Sequence, residues 1–139
     1  MRSISRGGLA LLVLATCSFA ACDNTVNDTP TTPTTPTTVT ETFSGTITPS
    51  AGATSAFTVT TAGTVTATLT AISPEDSVAS MSLGTWNGAL CQLVLVNDNA
   101  VVGNTITGTV SSIGTLCVRI ADSGKLVGPT DYTITVDHP

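Results

Sequence analysis

Charge is scarce in this chain of 139 residues: 9 % are Asp, Glu, Lys or Arg, and only four are basic. Two of those four, Arg2 and Arg6, stand at the very start, so beyond them Arg119 and Lys125 alone face nine acidic residues. A nucleic-acid binder needs a Lys/Arg footprint to displace counterions, and none exists here. The same deficit argues against docking by charge onto anionic lipid. Histidine is nearly absent too: His138 is the only one, next to the last residue, where chains tend to fray. Ser-His-Asp and Cys-His chemistry both require a positioned imidazole, so neither is expected. Glu75 and Asp76 are adjacent and suit a solvated turn better than a tuned acid/base pair. Aromatic residues make up 4 % of the chain, and no Gly-rich loop opens a Lys-bearing helix to cradle a phosphate. These absences predict a protein that is not an enzyme.

What is present begins with a targeting pattern. Arg2 and Arg6 precede a short apolar core, Gly8 to Leu14, which is too short to span a bilayer, and Ala20-Ala21 lead into Cys22. Phe19-Ala20-Ala21-Cys22 resembles the lipobox of bacterial lipoproteins, in which the cysteine is acylated and becomes the first mature residue. The rival reading is an ordinary secretory signal that releases a soluble protein. The compact apolar core, the two alanines and the tether that follows favour lipidation. Cys17, preceded by Thr16, is the weaker acceptor. Residues 1–21 therefore read as a lipoprotein signal peptide. Two or three acyl chains on Cys22, as that resemblance implies, would hold the protein stably at a membrane, which one chain would not.

Residues 22–41 read as the lipidated cysteine and a linker. Thr29 to Thr38 repeats Thr-Thr-Pro and offers no apolar side chain to bury. Proline fixes φ and removes donors, so this tract favours extended polyproline II. At about 3.1 Å per residue it would hold a domain roughly 50 Å from the lipid.

Two cysteines remain, Cys91 and Cys117. An even pair in an exported domain reads as a structural disulfide. Two thiols without a nearby histidine fall short of a zinc site, and the spacing is not that of a redox Cys-x-x-Cys.

From Thr42 the sequence breaks into short alternating runs. Val65, Ala67 and Leu69 face one way and Thr64, Thr66, Thr68 and Thr70 the other, the period of a half-buried strand. Leu116, Val118 and Ile120 form a second such set, with Cys117 pointing away from them, and Tyr132, Ile134 and Val136 a third. Turns are expected at Pro49-Ser50-Ala51-Gly52, Ala62-Gly63, Asn87-Gly88, Asn97-Asp98-Asn99 and Asp122-Ser123-Gly124. Eight strands at regular spacing, rich in β-branched Thr and Val, predict an all-β, antiparallel, jelly-roll-like sandwich over residues 42–139.

The order Phe43-x-Gly45-x-Ile47, Phe57-x-Val59, Gly63-x-Val65-x-Ala67-x-Leu69 resembles the bacterial pre-peptidase C-terminal (PPC) domain. So does the ending Gly114-x-Leu116-Cys117-Val118-x-Ile120, then Tyr132-x-Ile134-x-Val136. The resemblance implies a non-catalytic β-sandwich appended to exported proteins, associated with secretion or binding surfaces and sometimes with calcium. Two departures stand out: Thr54-Ser55-Ala56 replace the acidic residues common before the aromatic of the second strand, and Leu116 stands where an aromatic is common.

Two candidate sites follow. Calcium takes oxygen ligands gathered from loops, and Asp98, Asp122 and Asp131 could supply them, unless they serve ordinary turn chemistry. Trp86, beside the Asn87-Gly88 turn, is either a platform for a glycan or a cover for one end of the core. No other cofactor is expected. The sequence thus predicts a lipid-anchored or secreted envelope protein carrying a binding or structural module. Its partner would be an envelope protein or a glycan. Self-association into fibres through exposed edge strands is the further alternative.

Overall fold

The computed structural model describes residues 35–139. The signal segment, Cys17, the acylation candidate Cys22 and the linker up to residue 34 lie outside the described residues.

Period-two patterning produces eight strands: β1 (Val39–Ile47), β2 (Gly52–Val59), β3 (Gly63–Ser73), β4 (Ala79–Trp86), β5 (Cys91–Ala100), β6 (Thr105–Val110), β7 (Gly114–Ala121) and β8 (Thr130–His138). They form two four-stranded antiparallel sheets, ordered β1-β8-β3-β6 and β2-β7-β4-β5. The pairs β1/β8, β2/β7, β3/β6 and β4/β5 read as one long hairpin whose tip lies between β4 and β5. Rolling that hairpin up adds the pairs β3/β8 and β4/β7 and divides it into two sheets, which is the jelly-roll sandwich expected from the sequence.

The alternating sets fall where their periodicity put them. Val65, Ala67 and Leu69 of β3, Val118 and Ile120 of β7, and Tyr132, Ile134 and Val136 of β8 are all buried in one core. The threonines form the opposite face of the first sheet. Thr42, Thr135, Thr68 and Thr105 stand in one row across its four strands. The neighbouring row runs Thr40, Asp137, Thr66, Thr107, with Thr40 donating to Asp137 and the hydroxyls of Thr66 and Thr107 hydrogen-bonded at 3.3 Å. Cross-strand pairs of this kind are the unit of sheet stabilisation, which accounts for the threonine on this face of the sheet.

Three details depart from expectation. β1 takes in Val39–Glu41, the end of the tract read as linker, because Thr40 bonds Asp137 and Glu41 bonds His138. Asn97-Asp98-Asn99 is not a turn; it continues β5. There the Asn97 side chain accepts from the Asn99 N–H and Ser80 Oγ donates to Asp98, so side chains carry the chain through an irregular register against β4. The turn comes later, at Val101 to Asn104, with Gly103 at φ 87°.

The third departure is the chain end, which does not fray. His138 is 3 % exposed, its Nε2 lies 3.0 Å from Glu41 Oε1, and its ring lies 5.2 Å from that of Phe57. The Pro139 carbonyl accepts from the Thr60 N–H, closing the end onto the β2–β3 turn.

Candidate functional site

Asp98, Asp122 and Asp131 occupy three separate environments. Asp131 on β8 accepts from Thr46 of β1, and Asp98 on β5 accepts from Ser80 of β4. Asp122 is committed to the backbone: one carboxylate oxygen accepts from the N–H groups of Gly124, Lys125 and Leu126, the other from that of Ser50 at 2.8 Å. Among the described residues no group of three or more His, Cys, Asp or Glu side chains comes together to hold a metal ion. The calcium constellation drawn from the sequence is therefore not assembled, and turn chemistry accounts for Asp122.

The hydrogen bond from the Ser50 N–H, followed by that from Leu126, holds the Asp122 carboxyl below its ordinary value of 3.8. A depressed acid stabilises the fold above its unfolded-state pKa, and that contribution disappears as pH falls through the folded value. Thermal midpoints measured downward from pH 7 should decline below pH 3.8 in the wild type, and Asp122→Asn should lose part of that acid dependence.

Trp86 ends β4 half-buried and takes no part in the core cluster. His138, the one imidazole, has its two ring nitrogens against Glu41 and the Pro139 carbonyl, with no hydroxyl or thiol bonded to it.

Cys91 and Cys117 form the expected disulfide. Its placement is informative. Cys91 begins β5 and Cys117 lies on β7, with β4 between them. Two strand spacings amount to roughly 9.5 Å, yet the two Cα atoms are 5.8 Å apart. The residue between them explains the shortfall. Gly84 of β4 pairs with Cys117, and a Cβ built on it would lie 2.1 Å from the Gln92 carbonyl oxygen. The start of β5 thus folds over the bare backbone of Gly84, onto the face of the sheet from which Cys117 projects. Cys117 ends fully buried while lying outside the core cluster, as its opposition to Val118 and Ile120 foretold.

Beside this crossing the two sheets part. β5 and β6 are the free edges of their sheets on the same side of the sandwich, and a cleft of about 420 Å³ opens between them. Its floor is Val65, Leu83 and Leu116, and its walls include Val94 and Leu95 of β5 and Thr107 to Val110 of β6. No charged side chain lines it. Two features shape it. The register of β5 against β4 slips at Val94, a bulge that brings Val94 and Leu95, consecutive residues, both to the cleft. Across from them Gly108 has no side chain, and a Cβ there would stand 3.1 Å from Leu95 Cδ1.

The surroundings are equally neutral. No charged residue occurs from Ser77 to Asn97 or from Asn99 to Val118. Within residues 90–102, Leu90, Leu93, Val94, Val96, Val101 and Val102 are exposed. The sequence reasoning missed this surface because it followed residues that carry chemistry. The long gaps between charges were the signal that could have found it.

No protein-family profile matches the chain, and no curated protein is similar to it.

Proposed function

We propose that this chain is a non-catalytic cell-envelope lipoprotein, acylated at Cys22, whose β-sandwich presents a neutral apolar contact surface to a protein partner. The targeting pattern of residues 1–22 and the Thr/Pro tract support the anchor and its spacer. The jelly-roll strand order agrees with what the PPC resemblance implies. The non-catalytic reading draws on the single imidazole being occupied by Glu41 of the neighbouring strand and by the carbonyl of Pro139.

One observation carries the interaction reading: the exposed aliphatic side chains of an acidic protein concentrate on the β5 side, beside the cleft, where Asp98 is the strand's one charged residue. Exposed apolar side chains gathered on one part of a domain mark an interaction site. The opposite side of the sandwich carries the hydroxyl and carboxylate rows of β1 and β8.

The test compares the native size of the full chain in mildly solubilised membranes. Wild type and Thr58→Asp, on the free edge strand β2, should migrate in the same complex. Val94→Asp should migrate as a monomer with an unchanged thermal midpoint. Equal migration of all three would overturn the reading.

A further inference from the structure

We infer that the cleft between β5 and β6 binds a small neutral molecule: a single alkyl chain with a hydroxyl or ester head, such as a fatty alcohol. This goes beyond the protein contact proposed above and does not depend on it.

The sandwich interior is left unfilled at this corner. On β4, Met81, Leu83 and Thr85 pair with Ile120, Val118 and Leu116 of β7, so all three point between the sheets. Met81 and Leu83 are buried, but Thr85 is exposed. An exposed side chain at a core-facing position means that the interior opens to solvent there. On β6, Gly108 pairs with the buried Val65 and faces inward as well, without a side chain. Two positions where aliphatic side chains would close the core thus carry a hydroxyl and a hydrogen. Apolar atoms left without packing partners cost stability, and a bound apolar molecule restores those contacts.

Size and lining select the ligand. A cleft of about 420 Å³ is in the range of small-molecule sites and cannot admit a folded partner. One wall, Thr107 to Val110, is roughly 10 Å of strand. The apolar lining is aliphatic throughout, with no aromatic ring to stack on a flat ligand. A charged head would lose its water with no opposite charge in return. A peptide would carry amide groups over a floor of Val65, Leu83 and Leu116, whose side chains cannot pair with them. The polar end is Thr85, two residues beyond Leu83. Its hydroxyl makes one long contact, 3.5 Å to Gln92 Oε1, and keeps capacity for an alcohol or ester oxygen.

The test uses a diazirine-bearing analogue of 1-octanol on the full chain in its native membrane. Irradiation should attach it saturably to Val94, Leu95 or the Thr107 to Val110 wall, and 1-octanol should compete it away. Octanoate and octylammonium should compete more weakly by about tenfold or more. Thr85→Leu places an aliphatic side chain in the opening, so labelling should fall by about tenfold or more while the thermal midpoint holds or rises. Gly108→Val repeats the test from the opposite wall, where an added Cβ would stand 3.1 Å from Leu95 Cδ1. Thr58→Leu, at an exposed position of β2, should leave labelling unchanged. Label scattered over the exposed Val101, Val102 and Val127, or unaltered in both cleft variants, would overturn the site. Equal competition by octanoate would overturn the ligand class. Neither outcome touches the protein contact, which is read separately from complex size at Val94.

Discussion

Replacing Gly84 by valine should unfold the β4–β5 side of the sandwich and lower stability by about 3 kcal/mol or more. The obstacle is backbone, not a flexible side chain. Even the first added carbon would stand 2.1 Å from the Gln92 carbonyl oxygen and 3.0 Å from Leu93 Cα. Either β5 lifts away from β4, carrying Cys91 out of reach of Cys117, or β4 itself shifts against β7. At about 4–8 °C per kcal/mol for a domain of this size, the thermal midpoint should fall by at least ~12 °C. Free thiol should become detectable in the non-reduced protein. Gly84→Ala should show the same direction with a smaller shift. Gly114→Ala is the control: nothing lies within 4 Å of its built Cβ, and the change should stay within about 0.5 kcal/mol.

Removing the disulfide should have a comparable effect. Cys91 and Cys117 are separated by 26 positions, and closing a loop of that length stabilises a fold by about 3–4 kcal/mol on the chain-entropy model. The double variant Cys91→Ala/Cys117→Ala should melt roughly 12–30 °C lower. Hydrogen exchange should locate the loss: amides of Cys91 to Leu95 should lose protection first, because the bridge is what holds the start of β5 across Gly84. The core amides of β3 and β8 should keep protection until global unfolding. The two perturbations share one crossing and should not add. In the disulfide-free background β5 is free to lift, so Gly84→Ala should cost measurably less than in the wild type.

Legibility from sequence followed burial geometry. β3 and β8 could be read directly, since one face of each packs on the core and the other meets solvent, so apolar and polar residues must alternate. β5 obeyed no such rule. Leu93 to Val96 is a continuous apolar run, which suggests a strand buried on both faces, yet it lies at a sheet edge with Val94 69 % exposed. Asn97-Asp98-Asn99 has turn composition, but its side chains cap the irregular backbone of a strand that continues. The pairing of Cys91 with Cys117 was legible from their even number and from the export signal that the sequence suggests. That it crosses an intervening strand was not, because nothing in the spacing reveals that Gly84 would let one backbone fold over another. Composition placed His138 at a loose end, whereas packing against Phe57 and Glu41 makes it an interior residue. The exposed aliphatic surface beside the cleft was hardest to read, since it is marked by missing charges and not by a motif.

The most direct test of the account is the intact mass of the protein extracted from its native membrane, measured with and without reductant. The account predicts a chain beginning at Cys22, heavier by two or three acyl groups, that gains two hydrogens on reduction. An unmodified chain recovered from the soluble fraction would contradict the anchored lipoprotein, and a mass insensitive to reductant would contradict the stapled fold on which the contact surface depends.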